Sequence, residues 1–175
     1  MPKIWITSDT HFNSAGGVLK YLRKEFQTTE EMNTALIEEW NTVVAPQDTV
    51  YHLGDFAEGE EYSEIERIIK QLHGKIIFTP GNHDYGEKIK LYARYFEVEG
   101  RIQDEEIIMT HYPIFTALLE ETSLRSSGYN ERINIHGHMH AWAIQDKRYF
   151  NVNYDFTHKI FDYEQLRTEL RQLNK

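Results

Sequence analysis

The chain has 175 residues, 40% hydrophobic and 27% charged, enough for a real core in a domain of ordinary size. It has no Cys, which excludes disulfides, thiolate metal sites and Cys nucleophiles. Its formal charge of −9, from 19 basic and 28 acidic residues, argues against coating nucleic acid through backbone charge, though not against a phosphate held through cations.

The opening "MPKIWITSD" is too short and too polar for a secretory signal, and "KIWIT" within it reads as a buried strand. A polar, Gly-containing loop follows. Residues 28–44 predict a helix, with Thr28 and Glu31 as a capping box and Met32, Leu36, Trp40 and Val43 as one stripe. "DTVYHLG" is strand-like. Residues 61–74 predict a helix whose Ile65, Ile68, Ile69 and Leu72 share a face and which stops at Gly74. "KIIFT" is a strand and residues 86–96 a short helix. This alternation implies right-handed crossovers and a mostly parallel sheet. Residues 96–111 then predict two strands around a polar turn, and "RINIHGHMH" one more. Residues 141–155 predict a hairpin turning near Gln145 to Lys147, and residues 162–174 a helix capped by Asp162 and Gln165. No run approaches the ~20 apolar residues of a membrane span. One α/β domain over residues 1–175, with an antiparallel portion, is expected in a soluble cytoplasmic protein.

Metal-ligand residue types recur at the predicted strand ends. Asp9 and His11 follow the first strand, Asp55 the second, and Asn82, His83 and Asp84 the third. His111 follows "EEIIMT", and His138 and His140 follow "RINIHG". In open α/β sheets ligands gather at the carboxyl ends of strands. Each piece alone has a plainer reading, because Asn, Asp and Gly are ordinary turn residues and a lone His is often structural. Order and placement together favour one shared metal site. His138 and His140, two apart on an extended segment, would face the same side. His83 beside a carboxylate is also an acid/base unit. His52, His73, His136 and His158 read as structural or solvated.

The ordered set D-x-H, G-D, G-N-H-D, H and G-H-x-H, running from Asp9 to His140, resembles that of the calcineurin-like metallophosphoesterase family. The resemblance implies a two-sheet α/β sandwich flanked by helices, in four layers α/β/β/α, with a dinuclear metal site at its edge. By motif position Asp9, His11 and His140 would hold one metal, and Asn82, His111 and His138 the other. Asp55 would bridge both, and His83 would face the substrate, oriented by Asp84. The cofactors implied are two divalent transition-metal ions. Manganese stands foremost, with iron, zinc, nickel or cobalt as alternatives, since a mixed N/O donor set without thiolate suits all of them. Two cations ~3.5–4 Å apart clamp the attacking and leaving oxygens of a phosphoryl transfer, and a hydroxide between them attacks. His83 would protonate the departing alkoxide.

The protein Ser/Thr phosphatases of that superfamily carry an Arg after the second-motif Asp, another before Asn-His, and Glu where Asp84 stands. "GDFAEGEEY" and "FTPGNHD" contain no Arg. Its double-strand-break nucleases add a large cap for which this chain has no room. What remains resembles the small bacterial, archaeal and phage phosphoesterases. A small phosphodiester, of nucleotide origin, is the expected substrate, with no extended nucleic-acid surface and no membrane partner. The alternatives are a phosphomonoesterase acting on a small phosphorylated metabolite or nucleotide and, in another class, a non-catalytic metal-binding scaffold. Residues 12–26 and 115–132 bring cations (Lys20, Arg23, Lys24, Arg125, Arg132) and aromatics (Tyr21, Phe115, Tyr129) that could hold a phosphate and a base. Oligomeric state is left open.

Overall fold

The computed structural model describes residues 1–115, 119 and 132–173. In its first sheet β1 (Ile4–Thr7), β2 (Thr49–His52), β3 (Lys75–Phe78) and β4 (Glu97–Val98) run parallel. Their order is β4-β3-β2-β1, and β9 (Phe161–Asp162) extends the edge antiparallel to β1. The crossovers are α1 (Thr29–Val43), α2 (Tyr62–Ile69) and α3 (Glu87–Tyr92).

Local chemistry accounts for these helices. Thr28 Oγ1 accepts from the Glu31 N–H at 3.1 Å, while the Glu31 carboxylate reaches back to Gln27 N at 2.8 Å. Met32, Leu36 and Trp40 bury the stripe of α1, whereas Val43 turns outward and Val44 takes the inner position. Ile65, Ile68 and Ile69 do the same for α2; Leu72 packs against the core just beyond its end. These side chains meet Val50, Ile76 and Phe78 from the sheet in one apolar layer. Each fully buried side chain of this kind contributes roughly 1.5–3 kcal/mol.

The strands have period two, so the opposite face of the first sheet supplies a second layer. Ile6 and Leu53 meet Ile107, Met109, Ile133, Ile135 and Val152 there. Those partners belong to or adjoin the second sheet, of order β5-β6-β7-β8: β5 (Ile102–Gln103), β6 (Ile107–Thr110), β7 (Ile133–His136) and β8 (Tyr149–Asn151). A short helix, α4 (Tyr154–Thr157), follows β8. The final helix α5 (Tyr163–Leu173) adds Tyr163, Leu166 and Leu170 to this second layer, and Asp162 caps it by accepting from Gln165 N at 3.2 Å. The architecture is mixed α/β, with two sheets flanked by helices. Among the described residues no helix is long and apolar enough to cross a membrane.

Three local expectations are corrected. Residues 141–155 are not a hairpin: only Tyr149–Asn151 is a strand, and it pairs parallel to β7. About a dozen residues separate β7 from β8, enough for a parallel crossover. The antiparallel portion therefore shrinks to the β5–β6 and β1–β9 pairs. Residues 96–111 also divide differently. β4 stays in the first sheet, and the chain passes to the second before β5 and β6 pair. Residues 18–22, expected as loop, form one π-helical turn.

Candidate metal centre

Register places the strand ends together. Thr7 lies beside His52 and His52 beside Phe78 in the first sheet; Thr110 lies beside His136 and His136 beside Asn151 in the second. The two sheets touch at this end through a parallel bridge between Ser8 and Asn153. Each loop leaving these strands carries chemistry. Backbone bonds stitch the loops to one another: Asp9 N to Gly54 O at 2.9 Å, His11 N to Asp55 O at 3.0 Å, and Gly137 N to His111 O at 3.0 Å.

The loops are strained where the donors sit. Asp9 (φ 59°), His11 (φ 44°), Asp55 (φ 54°) and His138 (φ 66°) all adopt left-handed backbone without being glycine. Such conformations cost of order 1–3 kcal/mol each and persist where the surroundings enforce them. The motif glycines have a steric reason. A Cβ on Gly137 would collide with Ser8 Oγ and the Asp9 carboxylate, and one on Gly81 with the Asp55 carboxylate and the His111 ring. Only glycine lets these turns approach the carboxylates so closely.

Three donor groups result among the described residues, of which His11, Glu58 and His83 make one that shares His11. Asp9, His11 and His140 form a second, and Asp55, His111 and His138 a third, with the ligand atoms within each no more than 4.8 Å apart. His11 Nε2 stands 3.9 Å from Asp9 Oδ1, and His140 Nε2 stands 3.8 Å from the same oxygen. Asp55 lies between the groups, its Oδ2 3.8 Å from His11 Nε2 and 3.4 Å from His111 Nε2. Asn82 Oδ1 is 3.1 Å from His111 Nε2 and 2.9 Å from His138 Nδ1.

These residues fit a divalent ion. Nδ1 of His11 is spent on Glu58 at 2.7 Å, that of His111 on Leu53 O at 2.7 Å, and that of His140 on Asp155 at 2.8 Å. Each of those rings therefore turns Nε2 toward the carboxylates, the tautomer a metal ligand needs. His11 Nε2 is buried without a hydrogen-bond partner. Burial pushes the Asp9 carboxyl up from its ordinary value, against the pull of His111 and the Ser8 hydroxyl, so a cation beside it would favour the ionised form. Asp55 is held at about 2: burial opposes ionisation, but the His111 hydrogen bond and charge outweigh it.

His83 is in neither the Asp9/His11/His140 nor the Asp55/His111/His138 group, and joins His11 through Glu58. Its Nδ1 pairs with Glu58 Oε1 at 2.9 Å, its ring lies edge-on to His11 at 5.1 Å, and its side chain is 42% exposed. The Glu58 bond raises its pKa above the usual imidazole value, against partial burial. The expectation that Asp84 orients this ring is corrected. The buried Asp84 carboxylate accepts instead from the backbone N–H groups of Asp55 (2.5 Å), Gly81 (2.9 Å) and Phe56 (3.3 Å), tying the second and third loops together. Adjacent side chains in a turn need not point the same way, and Glu58 holds the position given to Asp84.

Glu58 and Asp155 are site residues that the sequence patterns did not mark, and Arg23, expected to hold substrate phosphate, serves the centre from within. Glu58 lies three residues after Asp55 in "GDFAEGEEY". Asp155 follows β8 as the other donors follow their strands, a signal hidden by the hairpin reading. Arg23, expected as a loop cation, is 1% exposed and donates to Asp155 Oδ1 (2.7 Å), Thr10 O (2.7 Å) and Asp9 O (3.0 Å). Arg125 and Tyr129 lie outside the described residues. His52 and His136 are fully buried and structural.

Fold and donors together define a two-sheet α/β protein with a metal-type centre at the carboxyl ends of its strands. Residues 3–154 match the calcineurin-like phosphoesterase superfamily domain, and the chain belongs to that family. It is 36% identical over 153 residues to an uncharacterized protein of Methanocaldococcus jannaschii, covering 86% of this chain and 77% of that one. It is 26% identical over 171 residues to the Gene 66 protein of Mycobacterium phage L5, covering 82% of this chain and 80% of the other. A crystal structure of a protein of unknown function from Aquifex aeolicus superposes with a TM-score of 0.68 at 26% identity, covering 97% of this chain and all of the other. The family makes the chain a hydrolase of phosphoesters that works with divalent metal ions.

Proposed function

We propose that the chain hydrolyses a small phosphodiester at a centre for two divalent transition-metal ions, manganese foremost. The observation carrying this reading is the tautomer set by the Nδ1 partners. The Nε2 atoms of His11, His111 and His140 are left to face Asp9 and Asp55. Asp9, His11 and His140 would hold one ion; Asn82, His111 and His138 the other; Asp55 would serve both. When bound, such ions lower the pKa of water and neutralise charge on phosphoryl oxygens.

The chain's own residues do the rest. His83, partly exposed and favoured as an imidazolium by the Glu58 carboxylate at Nδ1, presents its Nε2–H as the acid that protonates the departing oxygen. Glu58 holds both the His83 and the His11 ring, which couples the acid to a metal ligand. Asp84 keeps the Asp55 and Gly81 turns in register.

Diester over monoester is supported by where two cations near the centre go among the described residues. A monoester needs a cationic clamp for its extra charge. Arg23 is spent internally, and the Lys88 ammonium donates to Ala57 O (2.8 Å) and His83 O (3.0 Å). Exposed rings stand within two residues of three site histidines: Tyr85 (73% exposed), Tyr112 (48%) and Trp142 (72%). They offer stacking faces for planar ester groups such as nucleobases, worth about 1–3 kcal/mol per base.

The test is hydrolysis of aryl phosphodiester and aryl phosphomonoester by chelator-treated protein with and without Mn²⁺. Diester hydrolysis restored by the ion supports the reading. A monoester preference overturns the diester assignment, and no hydrolysis of either at any metal supply favours a scaffold.

A further inference from the structure

Arg23 is a buried cation beside the centre whose role the catalytic reading leaves unexplained. The Asp155 side chain that pairs with it is 1% exposed. Burying an ion pair costs several kcal/mol per charge unless hydrogen bonds compensate. Here they do, and apart from an Nη1 contact to Met32 Sδ at 3.8 Å they point to one half of the centre. The planar guanidinium donates in three directions. Two donations fix the carbonyls of Asp9 and Thr10, which bracket the left-handed turns at Asp9 and His11. The third fixes Asp155 Oδ1, and Asp155 Oδ2 then takes the Nδ1–H of His140 at 2.8 Å. The pair is itself held from both sides. Arg23 lies over the Tyr154 ring at 5.0 Å, and the Asp155 N–H donates to Asn153 Oδ1 at 2.8 Å. Asn153 in turn bridges to Ser8, where the two sheets meet.

The other half is built without this device. His111 rests on the Leu53 carbonyl, and Asn82 and His138 contact each other. The arrangement is thus asymmetric. Asp155 orients the His140 ring and Arg23 fixes the Asp9 and Thr10 carbonyls, while Glu58 holds the His11 ring; neither Arg23 nor Asp155 bonds to Asn82, His111 or His138, although the His138 N–H donates to the Asp9 carboxylate at 3.0 Å.

We infer that Arg23 and Asp155 are positioning residues for the Asp9/His11/His140 metal position alone, so that the pair sets the affinity of one ion and leaves the other untouched. This rests on the two-ion reading above. Removing a partner that orients a metal-bound imidazole typically costs about 10–100-fold in affinity.

The experiment is a Mn²⁺ titration of chelator-treated, full-length wild type, Arg23→Lys and Asp155→Asn, with thermal unfolding alongside. Wild type should bind two ions. Each variant should keep one at wild-type affinity and hold the second about 10–100-fold more weakly, with excess Mn²⁺ restoring it. The double variant should be no worse than the weaker single one, because the two residues act as a unit. A merely structural pair would lower the thermal midpoint and weaken both ions together, which overturns the inference. So do variants that bind both ions as wild type does. Wild type binding fewer than two ions overturns the two-ion reading itself. Should Arg23→Lys fail to fold, Asp155→Asn carries the same test, since an amide there keeps the shape but loses the charge and one of the two acceptors that face Arg23 and His140.

Discussion

Glu58 places its Oε1 2.9 Å from Nδ1 of His83, and the same oxygen lies 2.7 Å from Nδ1 of His11. One carboxylate thus holds a candidate acid and a candidate metal ligand. If His83 delivers the proton, His83→Ala should leave metal content unchanged and lower kcat by about 10²–10⁴-fold. The loss should shrink as the leaving group becomes more acidic, because a good leaving group departs without help. Glu58→Gln should show a smaller version of the same trend. A leaving-group series on both variants checks this; an equal loss across the series would make His83 a positioning group.

Gly137→Ala should destabilise the protein and damage the centre together. The added methyl meets Ser8 Oγ and the Asp9 carboxylate, neither of which can retreat from its own bonds. Overpacking of this kind costs about 1–3 kcal/mol. Denaturant unfolding and metal content measured on one preparation should both fall. Alanine at the open Gly100, where nothing lies within 4 Å, is the control and should change neither.

His52 predicts a specific acid sensitivity. Its Nε2–H donates to Thr10 Oγ1 at 3.0 Å, and Trp40, Phe56 and Phe78 surround the ring. Burial holds its pKa down to about 3. The unfolded ring takes a proton below about 6.5. Between pH 6.5 and 3 the unfolded state therefore binds one more proton, and unfolding free energy drops by about 1.4 kcal/mol for each unit the pH is lowered. His52→Gln should remove that slope. Denaturant curves at pH 7, 6 and 5 for both proteins check it, and parallel dependence in the two would show that His52 does not titrate as described.

Much of the centre was legible in the sequence because it is written in short-range patterns. Five strand ends each carry their donors within a few residues, and parallel pairing brings them into one row. The Thr28 and Asp162 caps were legible for the same reason. What lay hidden depends on contacts far apart in the chain. Arg23 meets Asp155 across 132 positions, and Tyr154 OH meets Glu39 across 115. Asp84 misled in the opposite way. Being next to His83 in sequence suggested contact, but its carboxylate turns back onto the Asp55 and Gly81 backbone. The parallel β8 was hidden because an apolar run flanked by polar residues does not declare its partner or direction.

Asp55 tests the central assignment most directly, because its Oδ2 faces His11 Nε2 at 3.8 Å and His111 Nε2 at 3.4 Å. The measurement is Mn²⁺ stoichiometry and affinity, by titration of chelator-treated wild type and Asp55→Asn. The expected result is two ions per wild-type chain and, in Asp55→Asn, weakened binding of both, with phosphodiester hydrolysis lost in parallel. Two ions held by Asp55→Asn as tightly as by wild type would contradict a centre shared through that carboxylate.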